Sequence, residues 1–372
     1  MKRLLLVGAG HSHVEVVRRL ASNRPRNAEI VLVSPERYTP YSGMLPGLLA
    51  GHYAFRDCHI DVEQLSRAAG VRFVRAAVSA LELERRLARC AGNEAEPFDL
   101  LSLDVGSTPD MSSIKELPER VIGAKPVAGL LTAWEKILAS ARVAPLRIAV
   151  VGGGAGGVEL ALAIRHRLRK LETGTRVDLV TDTTTILPSH TGAVRRRFEG
   201  ALAESAVPLH CGSRVTDVET GGLILASGER IAADWIIWAT SASAPAWLAA
   251  SGLATDERGF VRVDERLRSP SHPCVFAAGD CASLPGRAVP KAGVYAVRQG
   301  PVLAENLCFA LDDGPLSRYA PQRLALALIS TGGRHAVASW GPVAFDGDWV
   351  WRWKDRIDRR FMARYLAPEA AG

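Results

Sequence analysis

The sequence predicts an α/β protein built from two doubly wound, parallel-sheet units, the second inserted in the first, followed by a small C-terminal segment. Three observations predict it. A short apolar strand, a glycine-rich turn, a helix and a second strand occur in that order twice, their turns starting at Gly8 and Gly152, 144 residues apart. Strands that begin on an acid and end on small residues recur behind each of these units. The chain of 372 residues also exceeds the size at which a single core stops growing.

Residues 3–7 form the first apolar run, closed by Gly8-Ala9-Gly10. Residues 12–20 then carry apolar side chains at helical spacing, and residues 29–33 read as the next strand. The pattern returns with a strand at 147–151, the turn Gly152-Gly153-Gly154-Ala155-Gly156-Gly157, a helix from Val158 and a strand at 176–181. Each is a βαβ unit of about 30 residues. Residues 98–107 and 234–241 form a matched pair, an acid, a buried strand and then small residues, and 274–280 is a further strand ending in Gly279-Asp280. With the return crossing near residue 250, the expected units are 1–120 with 250–315, then 121–249, and a capping segment at 316–372.

A strand running into G-x-G-x-x-G puts glycine where backbone must turn tightly and approach a pyrophosphate, beside the unpaired amides of a helix N-terminus. Gly152, Gly154 and Gly157 complete that pattern. The first turn has Gly8 and Gly10 but His13 in the third position, so its ring is expected to point away from the strand, or the helix to stand off. His11 and His13 bring no third metal ligand with them, and a polar turn histidine is the simpler reading. An acid at the end of the second strand commonly takes the adenosine ribose hydroxyls. Ser34 or Glu36 serves in the first unit; in the second, Asp182 would repel a 2′-phosphate, favouring NADH over NADPH.

Composition narrows the class further. Hydrophobic residues make up 48% and charged residues 23%, as in a globular protein. Cys58, Cys90, Cys211, Cys274, Cys281 and Cys308 show no C-x-x-C or C-x-x-x-x-C pair, which argues against a zinc site or dithiol centre and suits a reducing cytoplasm. No run approaches the roughly 18 apolar residues of a membrane span. The net charge of +7 selects no partner, and the arginine runs at 165–170 and 194–197 read as solvated helix faces rather than a nucleic-acid surface. The C-terminal segment carries Trp349, Trp353, Ile357, Phe361 and Tyr365 on one broad helical face. Lys354, Arg360 and Arg364 interrupt that face and are expected to snorkel. Either a membrane surface, on the inner face of the cell membrane, or the protein's own first unit could cover it.

The two fingerprints, the two small-residue strand ends and Ala278-Gly279-Asp280 occur in the order of the pyridine nucleotide-disulfide oxidoreductases, and the chain resembles that family from residue 1 to about 310. The resemblance implies a two-Rossmann-domain flavoprotein with FAD in the first unit and NADH in the second. Asp280 then holds the flavin side chain, and Gly106, Ser107 and Thr240 border the cofactors. Both strand ends depart from the usual Ala-Thr-Gly, as Asp104-Val105-Gly106 and Ala239-Thr240-Ser241. Residues 38–47 lack the redox cysteine pair and resemble the flavin loop of type II NADH dehydrogenases and sulfide:quinone reductases, placing Gly43, Met44 and Leu45 beside the ring. No cysteine lies in 152–159, where a sulfide:quinone reductase would carry one. With residues 290–300 and 355–361, the likeness extends to an NADH dehydrogenase-like subgroup often associated with selenide, water dikinase.

Hydride transfer needs the two rings stacked, so the protein mainly orients and tunes them. Lys291 and Ala292, at the start of a helix, would offset negative charge on the reduced ring, and Glu159 would position the nicotinamide or relay a proton. Tyr295 and Gln299 could line an acceptor pocket. The expected activity is an FAD-dependent NADH dehydrogenase serving a quinone or other small acceptor. A reductase of a soluble partner, in selenium metabolism by analogy, and a flavin sensor with negligible turnover are the alternatives.

Overall fold

The computed structural model describes residues 1–25, 27–92, 94–111, 114, 118–286, 289–322 and 324–365. Strand β1 (Lys2–Val7) has Leu4, Leu5 and Leu6 wholly buried, as a strand covered on both faces requires. Helix α1 (His11–Leu20) returns the chain to β2 (Ala28–Ser34), parallel to β1 with Val7 opposite Val33. Helix α2 (Leu45–Ala50), β3 (Arg72–Arg75) and β4 (Leu100–Leu103) follow. Because β4 joins the other edge of β1, the order reverses between these two strands. Such a switch point opens a crevice at the carboxyl ends of the strands.

The second sheet takes β5 (Val121–Gly123), α3 (Val127–Ala141), β6 (Arg147–Val151), α4 (Ala155–Leu168), β7 (Arg176–Val180), α5 (Gly192–Glu204), β8 (Leu209–His210) and β9 (Trp235–Trp238). Its order is β5-β9-β6-β7-β8, every pairing parallel, so its own switch point lies between β6 and β9. The chain then returns with β10 (Val275–Ala277) beside β4, completing the order β10-β4-β1-β2-β3. The matched acids have one structural job in both sheets. Asp99 accepts the Arg3 amide at 2.6 Å and Asp234 the Arg147 amide at 2.8 Å, each closing the open end of the neighbouring strand.

Helix α6 (Gly293–Leu311) packs on α1, and Gly300 permits that approach, since a Cβ there would lie 2.7 Å from the Glu15 Cβ. The C-terminal segment is an antiparallel meander, β11 (Ala327–Ser330), β12 (Ala336–Trp340) and β13 (Val343–Gly347), and then α7 (Asp348–Met362). Val350, Trp351 and Phe361 join the core of the first sheet, while Ile329 and Val337 join that of the second. The segment therefore straddles the seam between the two units.

Candidate functional site

Three glycines close around one aspartate at the first switch point. A Cβ on Gly8 (φ +85°) would lie 2.4 Å from the Asp104 carbonyl oxygen, and one on Gly10 or on Gly279 (φ +67°) 2.3 Å from Asp104 Oδ1. Asp104 is 3% exposed and accepts the Ser12 and His13 amides at 2.8 and 3.0 Å, so it caps α1 from a strand end. Burial lifts its pKa to about 7 despite those two amides, and the charge of Asp280 adds to the rise.

His13 corrects the expectation of an outward ring. It is fully buried between α1 and the sheet, Nδ1 lying 2.6 Å from the Gly8 carbonyl and Nε2 2.8 Å from the Ser102 hydroxyl. A carbonyl only accepts, so Nδ1 donates to Gly8 and Nε2 accepts from Ser102. Two satisfied nitrogens let a ring occupy the place of a glycine, and burial lowers its pKa to about 4. His11 points elsewhere, edge-on to Tyr41, so the two rings do not converge on a metal. Its Nε2 is sealed from solvent and has no hydrogen-bond partner among the described residues. Desolvation depresses its pKa to about 4, with Asp280 opposing and Lys125 reinforcing.

Over this cradle opens a cavity of about 1040 Å³, which Gly8, Gly10, His11, Ser34, Glu36, Gly106, Ser107 and Asp280 line together. Asp280 is held by Lys125 Nζ at 2.5 Å and by the Ser107 hydroxyl at 3.3 Å. Lys125, just past β5, thus ties the second unit to the first across the cavity. From the 38–47 loop Tyr38, Thr39, Pro40 and Ser42 line the wall; Met44 is fully buried and Leu45 joins the second core, so neither expected side chain reaches the cavity. Gly43 turns its carbonyl to Lys354 Nζ at 2.5 Å. Ala292 is the N-cap of α6, whose Gly293 and Ala296 complete the wall.

An adjoining cavity of about 400 Å³ shares Asp280 and Ala296 with the first and is lined by Lys291, Tyr295 and Gln299. Lys291 is no solvated surface lysine: its Nζ donates to the Ala282 carbonyl and lies 3.9 Å from the centre of the Phe260 ring, and burial lowers its pKa. Gln299 Oε1 accepts the Gly279 amide at 2.6 Å, fixing the turn before Asp280.

At the second switch point a Cβ on Gly152 (φ +130°) would meet the Ala239 carbonyl at 2.3 Å, and one on Gly157 the Gly152 carbonyl at 1.9 Å. Above Gly154, the N-cap of α4, there is open space, as a cradle for an incoming pyrophosphate needs. Asp182 is exposed just past β7, and the Thr240 hydroxyl donates to the Asp110 carbonyl at 3.0 Å. Glu159, in the second turn of α4, accepts the Ser330 amide at 2.6 Å. Desolvation raises its pKa, and the nearby Lys354 charge restrains the rise.

Lys354 departs from the expected snorkelling. It is 8% exposed and bridges the Gly43 carbonyl and Asp358 Oδ2 at 2.6 Å, the Asp358 carboxylate being raised mainly by burial. Helix α7 thereby seals the flank of the 38–47 loop, with Phe361 stacked 4.3 Å from Tyr41.

The sequence profile of the pyridine nucleotide-disulphide oxidoreductases matches residues 2–300. The chain belongs to that family. The chain is 29% identical over 236 residues to an NADH dehydrogenase-like protein of Mycobacterium tuberculosis, an alignment covering 61% of the chain and 59% of that relative. It therefore spans less than two thirds of that relative's length. It is also 24% identical over 347 residues to the demethylphylloquinone reductase of Synechocystis, covering 89% and 85% of the two chains. Among solved structures, NDH2 of Plasmodium falciparum in complex with NADH superposes with a TM-score of 0.81 at 14% identity, covering 97% of each chain. The sulfide:quinone oxidoreductase of Aquifex aeolicus gives 0.80 at 18% identity, covering 99% of this chain and 93% of that one. At those identities the likeness is one of fold, and it extends over the C-terminal segment.

Proposed function

We propose that this family member is an FAD-dependent NADH dehydrogenase that delivers electrons to a quinone. The single observation that carries the reading is the pair of glycine cradles, one at each sheet's switch point, with Lys125 of the second unit holding Asp280 of the first on the wall of the larger cavity. FAD would lie in residues 1–120 and 250–315, NADH in 121–249, with 316–372 closing the seam. The sealed, unpartnered His11 Nε2 beside Lys125 suits a pyrophosphate, and Ser34 and Glu36 at the far end of the same cavity suit ribose hydroxyls. Asp104 already holds the Ser12 and Ser12-adjacent His13 amides, so the share of α1 left for that anion is the His11 amide and imidazole.

Flavin supplies two-electron acceptance from nicotinamide when bound. The protein's residues do the rest: Lys125 and Ser107 orient Asp280 toward the cavity, Gln299 fixes the backbone before it, and the α6 N-terminus brings a partial positive charge to the wall. Gly152, Gly154 and Gly157 would receive the NADH pyrophosphate and Asp182 its adenosine ribose, with Glu159 holding or releasing a proton from its desolvated site. The relatives named for NADH and demethylphylloquinone support a nicotinamide donor and a quinone acceptor. Trp349, Trp353 and Ile357 stay exposed along α7 and would rest on a lipid surface.

Stopped-flow mixing tests the reading. The purified protein should carry flavin absorbance, bleach with NADH faster than with NADPH, and reoxidise with quinones. A colourless protein that takes up no FAD, or a flavin that NADH leaves oxidised, would overturn it.

A further inference from the structure

A third cavity, of about 490 Å³, lies away from both cradles. Helix α4 leaves the second cradle at Ala155 and ends at Leu168, some 20 Å on at about 1.5 Å per residue. Arg165, His166 and Arg169 stand at that far end, and Arg165 donates to the carbonyls of Thr175, just before β7, and Ser205, just after α5. These mark the amino edge of the parallel sheet, opposite the carboxyl edge where dinucleotides bind. The remaining walls are α5, with Arg196 and Arg197, and the β11–β12 turn, with Thr331 and His335. Gly332 (φ +89°) lets that turn press on α4, since a Cβ there would lie 2.4 Å from the Leu162 carbonyl.

The charges inside do not balance. Arg197 is matched by Asp346 at 2.5 Å, and Asp346 also lies 3.4 Å from His335 Nε2. Arg169 and Arg196 have no acceptor among the described residues, while Glu204 is the one further carboxylate on the lining. Four arginines stand against two carboxylates on the lining. Burial, and then the charges of Lys170, His52, Arg169 and Arg167, push the His166 pKa down to about 4.

We infer that this cavity binds a small, soluble multivalent anion of the phosphate or pyrophosphate class between Arg169 and Arg196. Guanidinium groups bind such oxyanions through paired N–H donors, and a concave, three-walled site admits a free anion while holding a flat bilayer off. Bound there, the anion would bridge the C-terminal end of α4 to α5, beneath the β11–β12 turn that carries Thr331 and His335.

Titration calorimetry with pyrophosphate, on the protein as purified and with NADH saturating, tests this, alongside thermal unfolding in pyrophosphate and in sodium chloride of equal ionic strength. The expected result is one equivalent bound and a stabilisation that chloride does not reproduce. Arg169→Gln with Arg196→Gln should weaken binding at least tenfold. Arg67→Gln with Arg318→Gln, which removes two exposed charges elsewhere, should leave it unchanged. Absence of binding, equal affinity in the first double variant, or a response only to phosphatidylglycerol vesicles would each overturn the proposal.

Discussion

Asp104 and the two histidines pull stability in opposite directions with pH. The folded Asp104 keeps its proton to about pH 7, whereas an unfolded aspartate loses it near 3.8, so its contribution to stability falls as pH rises across that window. His11 and His13 resist protonation until about pH 4 against an ordinary 6.5, so theirs is lost as pH falls across that range. Asp104→Asn keeps an oxygen for the Ser12 and His13 amides and removes the titration. On going from pH 5 to pH 8 the variant should gain stability relative to the parent, by at most about 3 kcal/mol, the roughly two units between pH 5 and the folded pKa at 1.36 kcal/mol per unit. Urea unfolding at the two pH values measures it, and an unchanged difference would show that Asp104 does not titrate there. The residues found from sequence were those whose spacing encodes backbone approach, Gly8, Gly10, Gly152 and Gly157. Asp104 and Lys125 escaped because their roles arise only when segments far apart in the chain meet, 92 residues from Asp104 to Ser12 and 155 from Lys125 to Asp280.

At the scale of elements, strands and fingerprint helices followed the apolar pattern, because a strand buried on both faces has little freedom in composition. Helix α7 did not. Its periodicity placed Lys354 on an apolar face, where snorkelling was the expectation; the Gly43 carbonyl, 311 residues away, draws the side chain inward instead. The inward arrangement makes Lys354 the cation of a buried pair, 10% and 6% exposed at the two side chains. Lys354→Met leaves Asp358 desolvated and unpaired, an expected loss of about 3–5 kcal/mol. Lys354→Met with Asp358→Leu should recover most of it, since the uncompensated charge leaves with its partner. Denaturant titration of the two variants separates this from a surface pair, for which both changes would lie within about 1 kcal/mol. The single variant should also move the pH profile of NADH oxidation upward, because the Lys354 charge that restrains Glu159 is gone.

For the molecule as a whole, the C-terminal segment connects the chemistry to the surface. One side of α7 holds the 38–47 loop through Lys354 and Phe361, while an adjacent stripe exposes Trp349 (51%), Trp353 (36%) and Ile357 (41%). Phe345 and Trp349 stack at 5.3 Å, and Trp349 and Trp353 at 6.4 Å, so the aromatic groups form one flat ledge. Among the described residues no helix is long and apolar enough to cross a membrane. Amphipathic rings and flanking Arg352, Arg356 and Arg360 suit an anionic interface, which would bring a lipid-dissolved acceptor beside the loop that borders the larger cavity. Trp349→Ala with Trp353→Ala should therefore lower co-sedimentation with phosphatidylglycerol vesicles several-fold and slow turnover with a long-chain quinone held in them. Turnover with a short-chain, water-soluble quinone should stay within twofold of the parent. Equal losses with both quinones would place these tryptophans in the fold rather than at the interface, and unchanged sedimentation would remove the ledge from the route of the acceptor.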